Sequence, residues 1–301
     1  LLLVRRSRRP FFSCPGAGAR YSVPEVLRRD AKRAGIQTVG MIIAVANQKG
    51  GVGKTTTAVN LAASLSALGR KLLLVDLDPQ GNATTGCGID KLELERTTCD
   101  VLLGEAQVRE TALRSEEAAL DVLPANSDLT AAEVGLMDLP MKEKRLSLAI
   151  GVVRDSYDYV IIDCPPSLNM LTLNALVAAS GVIIPIQTEY YALEGLSALA
   201  STIDQVRAAR NPGLGIIGIL RTMHDPRNNL ANEVSAQLLS HFSDKVFRTI
   251  VPRNVRVAEA PSHGQPVLRY DRTSRGAIAY LALASELLRR VEKRQPATGG
   301  S

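Results

Sequence analysis

The residues best equipped for chemistry fall into three groups. The first is Gly50-Gly51-Val52-Gly53-Lys54-Thr55, which ends in Gly-Lys-Thr and is prolonged by the hydroxyl of Thr56. Glycines let successive backbone N–H groups converge on one anion, and a helix that starts directly after them adds the positive end of its dipole. That combination suits phosphate, with Lys54 on the β and γ phosphates and the Thr55 hydroxyl on Mg²⁺. The second group is Asp76 and Asp78 in VDLDPQGN, and the third is Asp163 at the end of YVIID, before Cys164-Pro165-Pro166. A single acid at a strand end is ordinarily a cap or a solvated turn. Three at one edge beside a phosphate loop are harder to dismiss. Lys49 stands apart, because it precedes Lys54 by five residues on the opposite limb of the loop. Geometry makes it hard for both ammonium groups to serve one bound nucleotide.

These groups need a scaffold that brings them together. MIIAVA is short, apolar and β-branched, and AVNLAASLSALG has apolar residues at helical spacing and stops at Gly69. The order is strand, glycine loop, helix. The next apolar run, Lys71 to Val75, follows after one short turn, so the unit is β-α-β and its strands are parallel through a right-handed crossover. Parallel strands end on the same edge, which places Asp76, Asp78 and Asp163 beside the loop, where ligands collect in open α/β sheets. GVIIPI, GIIGIL and a strand near VFRTIV continue the alternation. The predicted fold class is α/β, a single doubly wound, mostly parallel sheet with helices on both faces.

Composition agrees with a packed protein. The 301 residues are 46% hydrophobic, enough for a sizeable core and too much for a chain whose main state is disorder. No run approaches the roughly 18 consecutive apolar residues that a membrane helix needs. Cys14, Cys87, Cys99 and Cys164 form no C-x-x-C pair, which argues against zinc, iron–sulfur and disulfide frameworks and for a cytoplasmic setting. His224, His241 and His263 lack metal-ligand spacing, so no metal besides Mg²⁺ is expected.

The net charge of +6 is unevenly spread. Residues 1–40 hold nine basic and two acidic side chains, residues 201–290 thirteen basic and seven acidic. The first segment is broken by Arg, Pro and Gly and is expected to be a disordered leader or the product of an upstream start, the first Met being Met41. Its Ser7-Arg8-Arg9-Pro10-Phe11-Phe12 superficially matches an export signal but lacks the apolar region such a signal needs. The expected division is thus 1–40 leader, 41–294 domain, 295–301 tail.

KGGVGKTT, with its additional Lys49, resembles the deviant Walker A motif of the ParA/MinD family of P-loop ATPases. VDLDPQGN, IIDCPPS, YYALEGL and VPRNVRVAEAPSHG resemble the ParA/Soj chromosome-partitioning branch, and the resemblance runs from Met41 to about Val291. It implies a P-loop NTPase that uses ATP and Mg²⁺, with weak intrinsic turnover. Lys49 would reach across a two-fold interface to a partner's phosphates, making ATP the glue of a sandwich homodimer. Asp78 would orient the attacking water with Asp76 supporting its loop, Asp163 would hold Mg²⁺ through a water, Thr56 would extend the cradle toward the α-phosphate, and Pro252 and Asn254 would flank the base. The dimer would bind DNA non-specifically on the nucleoid and be released when a ParB-like centromere-binding partner stimulates hydrolysis.

Arg207, Arg227, Arg256 and Arg275 head the candidates for DNA phosphate contacts, with Arg210, Arg253, Arg269 and Arg272 behind them. Asp204 departs from the basic residue that related sequences can carry there, and Arg207, one turn on, is the expected substitute. Another reading is a MinD-like positioning ATPase bound to lipid through a C-terminal amphipathic helix. Its stripe would be Leu281, Ala284, Leu287, Leu288 and Val291, although docking on the protein's own sheet explains that face better. An electron-transfer or metal-carrier relative would need paired cysteines, which Cys164 alone does not supply.

Overall fold

The structure, a computed structural model, describes residues 40–294. The expected leader, apart from Gly40, and the expected tail lie outside the described residues, as does Cys14. Strand β1 (Met41–Val45) leads through the glycine loop into α1 (Lys54–Ala67) and returns as β2 (Leu72–Asp76). Short elements follow: α2 (Asn82–Gly86), α3 (Thr98–Leu103), α4 (Val108–Thr111), β3 (Leu113–Ser115), β4 (Leu120–Leu123), α5 (Leu129–Gly135) and α6 (Arg145–Gly151). The alternation then resumes with β5 (Tyr159–Asp163), α7 (Met170–Ala178), β6 (Gly181–Gln187), α8 (Ala192–Ala209), β7 (Ile216–His224), α9 (Asn229–Phe242) and β8 (Val246–Pro252). Helices α10 (Val255–Glu259), α11 (Val267–Tyr270) and α12 (Arg275–Arg294) close the chain.

The eight strands form one sheet in the order β3-β4-β2-β5-β1-β6-β7-β8, parallel throughout except for β3 against β4. From β1 the chain first fills one side of the sheet and then, from β6 onward, the other. That reversal opens a crevice at the carboxyl ends of the strands flanking β1. The period of two along β1 explains the layers: Ile42 and Ala44 face one core, Ile43 and Val45 the other. Helices α3 and α5 to α9 cover the first face, and α1 and α12 the second. Ile43, Leu74 and Ile161 are fully buried, each worth about 1.5–3 kcal/mol in apolar transfer. This is the P-loop NTPase architecture that the strand–loop–helix pattern predicts.

The differences from the sequence reading are local. β2 starts at Leu72, because Lys71 uses its N–H on the Asp158 carboxylate (2.7 Å). β7 runs on to His224, past the apolar run that reveals it. β3 is a three-residue antiparallel edge with no periodic pattern to announce it. The stripe Leu281, Ala284, Leu287, Leu288 and Val291 is buried against α1 and β8, so it is not open to lipid. Among the described residues no helix is long and apolar enough to cross a membrane.

Candidate nucleotide site

The glycine loop is held from two strands. Asn47 donates its amide to the Pro185 carbonyl in β6 (2.7 Å) and accepts the Lys49 N–H (3.0 Å). Thr222, in β7, donates to the Val52 carbonyl (2.8 Å), and the Val52 side chain is buried. Gly51 and Gly53 have φ of +76° and +85°, a backbone that strains any residue with a Cβ. α1 therefore begins abruptly, with no side-chain cap and no acidic residue in its first turn. Its leading N–H groups remain available to an external anion. Lys54 is buried at this helix start and donates to the Lys49 carbonyl (3.0 Å). Burial pulls its pKa down, opposed by the charges of Asp163 and Asp78.

The acids converge at the same edge. Asp163 stands in register beside Val45 on one side and Asp76 on the other. It is fully buried, and neither carboxylate oxygen has a partner in hydrogen-bond geometry. Burial, then the charge of Asp76, pushes its pKa well up; the neighbouring Thr55 hydroxyl and Lys54 offset part of that. Asp76 is equally buried but well supplied. It accepts from the Thr84 N–H (2.8 Å), the Thr84 hydroxyl (2.7 Å) and the Asp78 N–H (3.2 Å). Burial still lifts it to about 6 against those bonds. Asp78 accepts from the Gln80 N–H (2.9 Å) and faces the cleft.

The cleft measures about 480 Å³. Gly50, Gly51, Gly53, Lys54, Thr55, Thr56 and Asp78 line it at the loop end. Pro252, Asn254 and Val257 line it further along, where Asn254 also caps α10 by accepting the Val257 N–H (3.2 Å). One end thus offers convergent donors and an ammonium, the other a proline and apolar surface, which fits a phosphate chain joined to a flat base. Thr222, Met223 and Tyr280 are among the lining residues that the sequence does not reveal. Met223 carries a signal only in the structure, a non-glycine φ of +49°. Tyr280 lies on the α12 face that packs as core, and its position there conceals it.

The Lys49 and Lys54 side chains diverge. Lys54 turns inward, while the half-exposed Lys49 side chain is paired with Glu189, just beyond β6. The arginine candidates are largely engaged. Arg207 pairs with Asp204 (2.9 Å), so that place carries no surplus charge and the expected substitution for residue 204 is neutralised. Arg227 pairs with Asp225 (2.7 Å), and Arg256 with Glu259 (2.9 Å) and Asp271 (3.4 Å). Arg210 meets Glu143 (3.6 Å) and Arg269 meets Glu117 (3.3 Å). Arg275 is exposed at the start of α12. Cys164 is buried beside Asp163, and the three histidines sit on separate elements, His263 stacked on Tyr270.

A glycine-built helix start, a buried lysine and strand-end acids around a sheet reversal define the P-loop nucleoside triphosphatase class. A family model described as an AAA domain matches residues 40–216. The sporulation initiation inhibitor protein Soj of Bacillus subtilis is 51% identical over 249 residues, spanning 83% of this chain and 98% of its own. The chromosome partitioning protein ParA of Caulobacter vibrioides is 50% identical over 256 residues, spanning 84% and 96%. In three dimensions the chain is similar to a cobyrinic acid a,c-diamide synthase of Mycobacterium smegmatis solved with an ATP analog and magnesium, with a TM-score of 0.75, 38% identity and coverage of 85% and 98%. The chain belongs to the ParA/Soj family of chromosome-partitioning ATPases.

Proposed function

We propose that this chain is a Mg²⁺-dependent ATPase of weak intrinsic turnover that dimerises on ATP, binds DNA without sequence preference as the dimer, and lets go on hydrolysis. The observation that carries the nucleotide part is Asp163, a buried carboxylate with no partner beside Thr55 and Lys54. An unpaired buried charge is costly, and a cation is the partner its acceptor-only chemistry fits. Thr55 and Asp163 would hold Mg²⁺, Asp163 through a water. Bound there, the ion would neutralise charge that develops on the phosphate oxygens.

The remaining work falls to the chain's own groups. The N–H groups of the loop and of Thr55 and Thr56 hold the phosphates, and Lys54 sits on the β and γ oxygens. Asp78 orients a water in line with the terminal phosphorus. The water oxygen forms the new P–O bond as the bond to the β-phosphate oxygen breaks, giving ADP and phosphate. Pro252 and Asn254 flank adenine. Lys49, held off its own cleft by Glu189, is free to exchange that carboxylate for a partner subunit's phosphates. A triphosphate offers charge to both lysines, a diphosphate less, so hydrolysis loosens the dimer.

DNA contact would come from arginines of the later half. Arg275 leads, since Arg207, Arg227 and Arg256 must first leave exposed carboxylates. Exposed pairs of this kind are worth only about 0–1 kcal/mol, so DNA phosphates can compete for them. A ParB-like centromere-binding protein is the partner that stimulates hydrolysis, and chromosome segregation on the nucleoid is the task. Retention of the ATP-loaded protein on plasmid DNA should fall steeply between about 50 and 200 mM salt. Retention equal with ATP and ADP, or indifferent to salt, contradicts the DNA part of this reading.

A further inference from the structure

Asp78 can orient a water only as well as its loop is held. The Leu77 N–H on the Asp163 carbonyl (3.1 Å) and Lys91 on the Gln80 carbonyl (2.6 Å) hold it from outside, and the Asp76 carboxylate ties its two ends together. The chain leaves β2 at Asp76, turns through Asp78 and Gln80, and enters α2. Both ends of the turn return to the Asp76 carboxylate: the Asp78 N–H to one oxygen (3.2 Å), the Thr84 N–H to the other (2.8 Å). The Thr84 hydroxyl, itself fully buried, donates to that second oxygen (2.7 Å) and accepts the Ala125 N–H (2.9 Å). Because a backbone N–H can only donate, the hydroxyl proton is committed to Asp76. Thr84 therefore couples the turn to the segment that follows β4. Gly81 closes the same contact, since a Cβ there would come within 2.5 Å of the Ala125 carbonyl oxygen.

We infer that Thr84 is a positioning residue for hydrolysis: its hydroxyl, locked between Asp76 and the Ala125 N–H, sets where the Asp78 carboxylate stands in the cleft. Sequence gives no hint of this, because the Thr84 hydroxyl meets the Ala125 N–H across 41 residues. The inference rests on the proposed role of Asp78 and adds the residue through which that role is made effective. Thr84 does not line the cleft, so nucleotide affinity should not depend on it.

The test uses the full chain, with phosphate release from Mg-ATP for kcat and titration calorimetry with Mg-ADP for affinity. Thr84→Val keeps the shape and removes both hydroxyl bonds. It should lower kcat by about tenfold to a hundredfold, as small displacements of a positioned group do. Mg-ADP affinity should stay within about threefold, under 1 kcal/mol. Thr84→Ser should recover most of the rate. Asp78→Ala should lower kcat at least as far, and Thr84→Val added to it should cost nothing more, because one residue acts through the other. Unchanged kcat in Thr84→Val, an equal loss of Mg-ADP affinity, no rescue by serine, or a further loss in the double variant each overturns the inference. If Thr84→Val does not fold, Thr84→Ala is read by the same cycle. Wild-type kcat in Asp78→Ala would instead remove the role of Asp78, and this inference with it.

Discussion

Two regions of the molecule bury a carboxylate, and they treat it in opposite ways. On α12, Glu286 accepts from the N–H groups of Arg248 and Thr249 (2.9 Å each), from the Thr249 hydroxyl (2.8 Å) and from Arg290 (2.9 Å). Arg290 in turn lies over the Phe247 ring at 4.3 Å. Burial alone would raise the Glu286 pKa, but the donors together hold it below the ordinary carboxylate range. At the sheet end Asp163 has the burial without the donors, and its pKa is driven the other way. The saturated carboxylate pins the last helix to β8, an edge strand, and covers its open N–H groups. The unsaturated one contributes nothing comparable to the fold, and its cost is intelligible only if something binds there.

The comparison can be broken at several points. Asp78→Ala should reduce phosphate release by about a hundredfold or more, the usual loss when a group that manages the attacking water is removed. Calorimetry should find Mg-ADP affinity little changed. Lys54→Ala removes charge-assisted bonds worth about 1.5–3 kcal/mol, so Mg-ATP affinity should fall by roughly 10- to 150-fold. A smaller loss would mean that the loop N–H groups hold the phosphates almost unaided.

Stability sharpens the contrast further. Glu286→Gln should lower unfolding stability at pH 7 by about 1–3 kcal/mol, because two N–H donors then face an amide. The sign with pH follows from the depressed pKa. The carboxylate's contribution is complete above the unfolded-state value and is lost as pH falls through the folded-state value. Wild type and Glu286→Gln should therefore converge in acid, which denaturant melts at several pH values will check. Asp163→Asn should do the reverse at neutral pH. A carboxyl whose pKa is raised by folding costs stability at any pH above its unfolded-state value, so replacing it should raise the stability of the metal-free protein by about 1 kcal/mol. The same variant should lose the extra stability that Mg-ATP confers on the wild type. A destabilised Asp163→Asn would mean that the carboxylate has internal partners after all.

Much of this site is legible in the sequence because its parts are local. The glycine loop needs only six adjacent residues, and Asp76, Asp78 and Asp163 sit where apolar strands stop. The parallel crossover then places them together without any knowledge of side-chain contacts. What depends on distant pairings is not legible. Lys49 and Glu189 are 140 residues apart, and Ala125 meets Thr84 across 41. The ion pairs of Arg207, Arg227 and Arg256 are close in sequence, yet spacing alone does not distinguish a paired arginine from a solvated one. β3 and β4 are short strands at one side of the sheet, stabilised by neighbours rather than by any pattern of their own.

The most direct test of the whole account concerns Lys49, the charge held at the mouth of the cleft by an exposed carboxylate. Light scattering on the Asp78→Ala protein saturated with Mg-ATP should give the mass of two chains, and with Mg-ADP the mass of one. Adding Lys49→Ala should return the ATP sample to single chains while nucleotide binding persists. Single chains in Mg-ATP without that second change, or pairs that survive it, would contradict the claim that each copy closes the other's site.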